Sequence, residues 1–363
     1  MVPERLDHSV SPISTISSAA GRFQARHGTG EPKQKARLPY SKGVRPMRRL
    51  LNRLLAGILL WSFAAVLWNG DIHAKEIGVI WVGKSLMTNN LVMGFLPRIR
   101  ELAPDYKVTL FRELKNLDDA GKIFNECEGK MDGIVFLRSS GAEFLSMNKP
   151  TVPCFVGACN NPADLGAVSS LERPDGNVTG VTYFIPYPKR FDMIKSLFPT
   201  AKSLLLLLEI GQSGGPIDQA GTSDECMKRG IAYKEALASN VEDLVKKTQA
   251  AGKVDLIVLS NTRLVRDNAV NLLPIANATK TPMFSYSAGP VKAGALAGIS
   301  TDDFKLGQML ADSVVDVVVK RKPVAQVPVK MDPNPRVMIN EAAMKDFGLK
   351  FPEPILNSAI MVR

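Results

Sequence analysis

Residues 75–363 contain no histidine; the three in the chain are His8, His27 and His73. Imidazole is the usual general base near neutral pH and the commonest metal ligand. Its absence excludes a Ser-His-Asp site, a Cys-His site and a His-ligated zinc there, and leaves catalysis to carboxylates, lysine or a bound cofactor. Cysteine is sparse, four in 363 residues, and the nearest pair, Cys154 and Cys159, is not spaced as a CxxC redox or zinc element. A nucleophile elbow is not expected. No catalytic residue, metal site or cofactor is expected.

Acidic residues are scarce only in residues 1–53, which hold three Asp+Glu against eleven Lys+Arg, a net +8 within the chain's +11. Residues 75–363 carry 35 basic and 31 acidic side chains, a net of only +4. The basicity therefore gives no case for a nucleic-acid partner, and residues 1–46 offer no helix-turn-helix. That segment is rich in Ser, Pro, Gly, Arg and Lys without an apolar period, and is expected to be disordered or to precede the true start at Met47.

Residues 47–74 have the layout of a cleavable signal peptide. Arg48, Arg49 and Arg53 precede a fifteen-residue apolar run, Leu54–Trp68, and Ile72-His73-Ala74 offers a small residue at the cut. As a helix the run spans about 22 Å, short of a hydrocarbon core of about 30 Å. The mature chain is expected to start at Lys75, in the periplasm. In that oxidising compartment Cys127, Cys154, Cys159 and Cys226 either pair or remain buried thiols; both outcomes stay open.

The remainder alternates short apolar runs with helical stretches. Strands are expected at Ile77–Val82, Lys107–Phe111, Gly133–Leu137 and Val152–Val156, with helices between them. A second series follows, with strands at Ser203–Leu208, Ala232–Glu235, Asp255–Leu259 and Pro282–Ser285 and a single helix over Val265–Ala278. A strong helix is expected at 303–320. Continuous apolar strands separated by helices indicate parallel sheets covered on both faces. The fold class is α/β, with two Rossmann-like lobes. Lobe 1 is expected to comprise 75–181 plus 302–325, and lobe 2 182–301 plus 326–363. Ligands of such sheets bind at the carboxyl ends of the strands, so facing lobes would share one cleft.

The run Arg173-Pro174-Asp175-Gly176-Asn177-Val178-Thr179-Gly180-Val181-Thr182 resembles the P-G-G-N-V-T-G-V stretch of the ABC transporter substrate-binding proteins that include tryptophan and tyrosine binders. Asn161-Pro162 with Gly166-Ala167-Val168, Gly294-Ala295-Leu296-Ala297 with Asp302 and Gly307, and Ile339-Asn340 with Phe347–Pro352 are similar to three further stretches of that family. The resemblance implies a type I periplasmic-binding fold with three crossovers. It also implies capture of a small-molecule solute by a monomer serving an inner-membrane ABC permease. A binding protein feeding a membrane sensor, and an exported enzyme using carboxylates, are the alternatives.

Ligand contacts are expected from loops at strand ends. These supply Ser85, Thr88 and Asn89 after the first strand, Arg138, Ser139 and Ser140 after the third, and Cys159, Asn160 and Asn161 after the fourth. Tyr183, Asn261, Tyr286 and Asp302 complete the set. Arg138 beside two hydroxyls suits a carboxylate. Trp81 and Phe184 are assigned to the core. Where the family has Asp, this chain has Asn161 and Asn261, which weakens the case for an ammonium group and leaves Asp302 as the acid to hold one. The loop Gly211–Pro216 reads as a flexible turn with Pro at the start of a helix.

Overall fold

Five consecutive leucines, Leu204–Leu208, are all buried, and they divide between two cores: Leu204, Leu206 and Leu208 enter one, Leu205 and Leu207 the other. Side chains alternate across a strand, so an unbroken apolar run is stable only where both faces are covered. Each buried leucine contributes about 1.5–3 kcal/mol. The first strand repeats the logic, with Ile77, Val79 and Trp81 on one side and Ile80 on the other.

The computed structural model describes residues 75–363; the expectations for 1–46 and for the export signal at 47–74 lie outside the described residues. The chain begins with β1 (Glu76–Val82), α1 (Leu86–Leu102), β2 (Lys107–Leu114), α2 (Leu117–Glu128), β3 (Gly133–Leu137), α3 (Ser139–Met147), β4 (Cys154–Gly157) and β5 (Val178–Thr182). A second series follows: α4 (Tyr187–Leu197), β6 (Ser203–Glu209), α5 (Gly215–Lys228), β7 (Ala232–Ala238), α6 (Val241–Ala250) and β8 (Leu256–Leu259). It continues through α7 (Arg263–Asp267), α8 (Leu273–Thr279), β9 (Met283–Ser285), α9 (Ala288–Lys292) and β10 (Ala297–Ser300). After α10 (Asp303–Val314) come β11 (Lys330–Met331), β12 (Arg336–Asn340), α11 (Glu341–Asp346), α12 (Glu353–Ser358) and β13 (Ile360–Val362).

The two sheets repeat one topology. Strand order is β2-β1-β3-β4-β5-β11 in the first and β7-β6-β8-β9-β10-β12-β13 in the second. The pairs are parallel, except that β12 runs antiparallel to β10. In each, the strand order reverses at the first strand: between β1 and β3, and between β6 and β8. A crevice opens at such a switch point, where successive connections depart to opposite faces.

Two local outcomes differ from expectation. The helix expected over Val265–Ala278 is broken into α7, a 3-10 turn at Ala269–Leu272, and α8. Pro274, in the first turn of α8, lacks the N–H an unbroken helix would need there. The return to lobe 2 comes after Met331, not at 326. Lys330 and Met331 pair with Val181 and Thr182 of β5, and Val324, Val327 and Val329 are buried in the first lobe's cores. Gly180 lies inside β5, with φ 138°, and an added Cβ would run into the Val156 carbonyl oxygen of β4. The chain crosses over just after it, between Thr182 and Tyr187.

All four cysteines are free and buried. Burial pushes the Cys127 thiol up to about 11 and those of Cys159 and Cys226 up to about 12, so these groups stay protonated and inert. Among the described residues no helix is long and apolar enough to cross a membrane, and no three or more metal-ligating side chains cluster.

Candidate functional site

The carboxyl ends of β1 and β3 face those of β6 and β8 across a cleft of about 60 Å³. The first lobe lines it with Ser85 and Met87 after β1, Arg138, Ser139 and Ser140 after β3, Ala158 after β4 and Tyr183 after β5. The second contributes Gln212, Ser213 and Gly214 after β6, Asp218 from α5, and Asn261, Thr262, Arg263 and Arg266 around the start of α7. Helices α1, α3 and α5 begin at this lining, and Ser85 caps α1 by accepting the Thr88 N–H at 3.3 Å. Unpaired N–H groups at these ends favour negative charge.

Arg138 precedes α3 with φ 76° and ψ 165°, a conformation that costs a non-glycine residue about 1–3 kcal/mol. Its guanidinium donates to the Val82 carbonyl at 2.5 Å, which ties the loop after β3 to the end of β1. Burial, then the like charges of Arg266 and Arg263, pull the Arg138 guanidinium down from its ordinary value. Ser139 accepts the Asn160 N–H at 3.0 Å, fixing the loop after β4. Tyr183 is held well above the ordinary phenol range, chiefly by burial.

Asp218 is the hub of the second lobe. Its Oδ1 accepts from the Tyr187 hydroxyl at 2.8 Å, from Arg190 at 3.2 Å and from the Asn160 side chain at 3.4 Å; its Oδ2 accepts the Asn261 N–H at 3.2 Å. Arg190 and Asp218 are 3% and 2% exposed at the side chain. The Arg190 guanidinium also donates to the Ile185 carbonyl at 2.7 Å and lies 4.5 Å and 4.3 Å from the ring centres of Tyr187 and Tyr286. Burial opposes its charge, but Tyr187 and Asp218 outweigh that and hold it above its ordinary value.

The lobes touch at the cleft. The Asn160 side chain donates to the Gly214 carbonyl at 3.2 Å as well as to Asp218, and the Ser213 hydroxyl donates to Glu143 at 2.5 Å.

Of the residues expected from sequence, the structure brings Ser85, Arg138, Ser139, Ser140, Tyr183 and Asn261 to the lining, and Asn160 to the interlobe contact. The others lie elsewhere. Thr88 is fully buried in α1, and Asn89 is exposed and not part of the cleft lining. Cys159 is buried, with its thiol 3.7 Å from the Val181 carbonyl. Asn161 turns to Asp164 and to the Ala163 N–H. Tyr286 stands behind the lining, its hydroxyl on Thr222 at 3.0 Å. Asp302 caps α10 by accepting the Lys305 N–H at 3.1 Å, at a separate crevice with Asp303, Phe304 and Arg336. It holds no place in the cleft, because its position at a helix start commits its carboxylate to the backbone.

Sequence reasoning missed Asp218, Arg263, Arg266 and the loop Gln212–Gly214. That loop follows β6 as the Gly83–Ser85 loop follows β1, so the internal repeat pointed to it. It also fits G-x-S-x-G at Gly211, Ser213 and Gly215, a spacing overlooked in expecting no nucleophile elbow. Its geometry is not that of an elbow: the left-handed residue is Gly211 (φ 76°), not Ser213.

The model of the family described as ABC transporter substrate binding protein matches residues 101–363, well over half of the chain. A "Tyrosine-binding protein" of Clostridioides difficile (strain R20291) is 26% identical over 228 residues, 61% of this chain; the match spans 64% of that relative's own length. A conserved domain protein from Vibrio cholerae O1 biovar El Tor superposes with a TM-score of 0.70 at 24% identity, over 80% of this chain and all of that one. An ABC domain from Streptococcus pneumonia in complex with L-Trp gives 0.69 at 20% identity, over 80% of this chain and 99% of that one. At these identities the likeness to the two structures is one of fold, the type I periplasmic-binding fold.

Proposed function

We propose, from the premise that the chain belongs to the ABC transporter substrate binding protein family, that it is the solute-binding component of an ABC importer. It captures a small polar or carboxylate-bearing organic solute between its lobes. The lobes swing about three crossovers, after β5, between β10 and α10, and between β11 and β12. Ser85, Arg138, Ser139, Ser140, Tyr183 and Asn261 contact the solute, and the closed lobes present the face an inner-membrane permease reads. The chain works as a monomer in the periplasm, delivered there by the export signal at residues 47–74, and binding without chemical change is its activity. The observation that carries this reading is the pairing of two equivalent switch points, one from each lobe, across a single cleft. The relative named for tyrosine binding and the solved complex with L-Trp support a solute of about amino-acid size.

Native mass spectrometry of the purified protein tests it. The expected result is a stoichiometric small molecule, released unaltered on denaturation. Release of a chemically altered molecule overturns the binding-only reading. No bound molecule, with no thermal shift across amino acids, organic acids and sugars, overturns solute binding itself.

A further inference from the structure

Three guanidinium groups line the cleft, Arg138 from the first lobe and Arg263 and Arg266 from the second, against one carboxylate, Asp218. That carboxylate is already matched by the buried Arg190 and by donors from Tyr187, Asn160 and Asn261. Arg266 pairs with Asp267 at 2.9 Å, whereas among the described residues neither Arg138 nor Arg263 has a carboxylate within ion-pairing distance. Two positive charges from opposite lobes are thus left over in one cleft. Like charges confined together repel unless something of opposite sign lies between them. The starts of α3 and α5 at the same lining add positive potential.

We propose that the solute is a small organic dianion without an ammonium group, of the dicarboxylate class, held with one anionic group on Arg138 and the other on Arg263 and Arg266. The inference rests on the solute-binding reading and narrows its ligand. A zwitterionic amino acid suits the cleft poorly, because its ammonium group would meet three arginines and a single carboxylate whose charge is already matched by the buried Arg190. The Oδ1 of Asn261, buried without a partner, is satisfied by a ligand hydroxyl as well as by an ammonium group. The Ser139, Ser140 and Thr262 hydroxyls donate equally well to carboxylate oxygens.

Isothermal titration of the mature chain with malonate, succinate, malate and glutarate, beside acetate, benzoate, L-tryptophan and L-tyrosine, tests this. At least one dianion should bind tenfold or more tightly than any monoanion or amino acid. Its affinity should fall by about tenfold or more in both Arg138→Gln and Arg263→Gln, the loss expected for one charge-assisted contact. Arg263→Gln relieves like-charge repulsion and breaks no ion pair among the described residues, so its unliganded melting temperature should hold or rise, which separates lost binding from lost folding. Tighter binding of L-tryptophan or L-tyrosine, or dianion affinity unchanged in both variants, overturns the inference and leaves solute binding standing. Absence of binding by every class overturns both.

Discussion

Replacing Asp218 by Asn removes the charge partner of Arg190 while keeping the shape of the side chain. The variant leaves a guanidinium only 3% exposed with the Ile185 carbonyl and two aromatic faces as its remaining partners. An ion pair broken at this depth costs about 3–5 kcal/mol, because the desolvated charge that remains has no counterpart. For a folded region of this size, each kcal/mol lowers the melting point by about 2–4 °C, so the drop should be on the order of 10 °C. Differential scanning calorimetry is the assay. Arg190→Met should cost less, since Asp218 keeps donors from Tyr187, Asn160 and the Asn261 N–H. Combining the two should restore a good part of the loss in the Asp218 variant, because no unmatched charge is left. An Asp218→Asn protein melting within about 2 °C of the parent, or a double variant losing the full sum of the singles, would refute this account.

Four other outcomes are expected. Gly307→Ala places a Cβ 1.9 Å from the Leu91 carbonyl oxygen where α10 crosses α1, so it should destabilise by about 1–3 kcal/mol in urea titration. Gly129→Ala, with open space around it, should be close to neutral. Arg138→Gly removes a strained left-handed residue and should melt no lower than Arg138→Gln while losing one of the cleft's three guanidinium groups, so its binding should be as weak as that of Arg138→Gln. Burial raises the Asp303 carboxyl to about 7. A carboxyl whose pKa is higher folded than unfolded favours folding only while protonated, so its contribution is present below about pH 4 and lost as pH rises through 7. The melting-point difference between the parent and Asp303→Asn should change across that window, and a pH-independent difference would count against it.

The fold was legible because burial on both sheet faces writes unbroken apolar runs. The leucines of β6 and the β1 run leave little choice of structure, and their recurrence in two series announced two lobes. What was not legible depends on partners distant in sequence. The two residues of β11 are too few for a pattern, and their pairing with β5 follows from where α10 ends. In the site, residues at strand ends were found because topology fixes those positions. Asp218 lies one turn into α5, and Arg263 and Arg266 sit on a five-residue helix with no periodicity of its own. Their convergence exists only once the second lobe stands opposite the first. Asp302 misled because a lone acid beside a crossover reads the same whether it binds a ligand or caps a helix.

The clasp between Asn160 and Gly214, with Ser213 on Glu143 beside it, ties the two lobes together across the cleft. If the proposed solute enters only when these contacts part, its apparent affinity is the intrinsic one scaled by the fraction of time the lobes stand apart. Were that fraction about one in a hundred, the apparent affinity would be about a hundredfold weaker than the intrinsic one. Loosening one latch should then quicken loading.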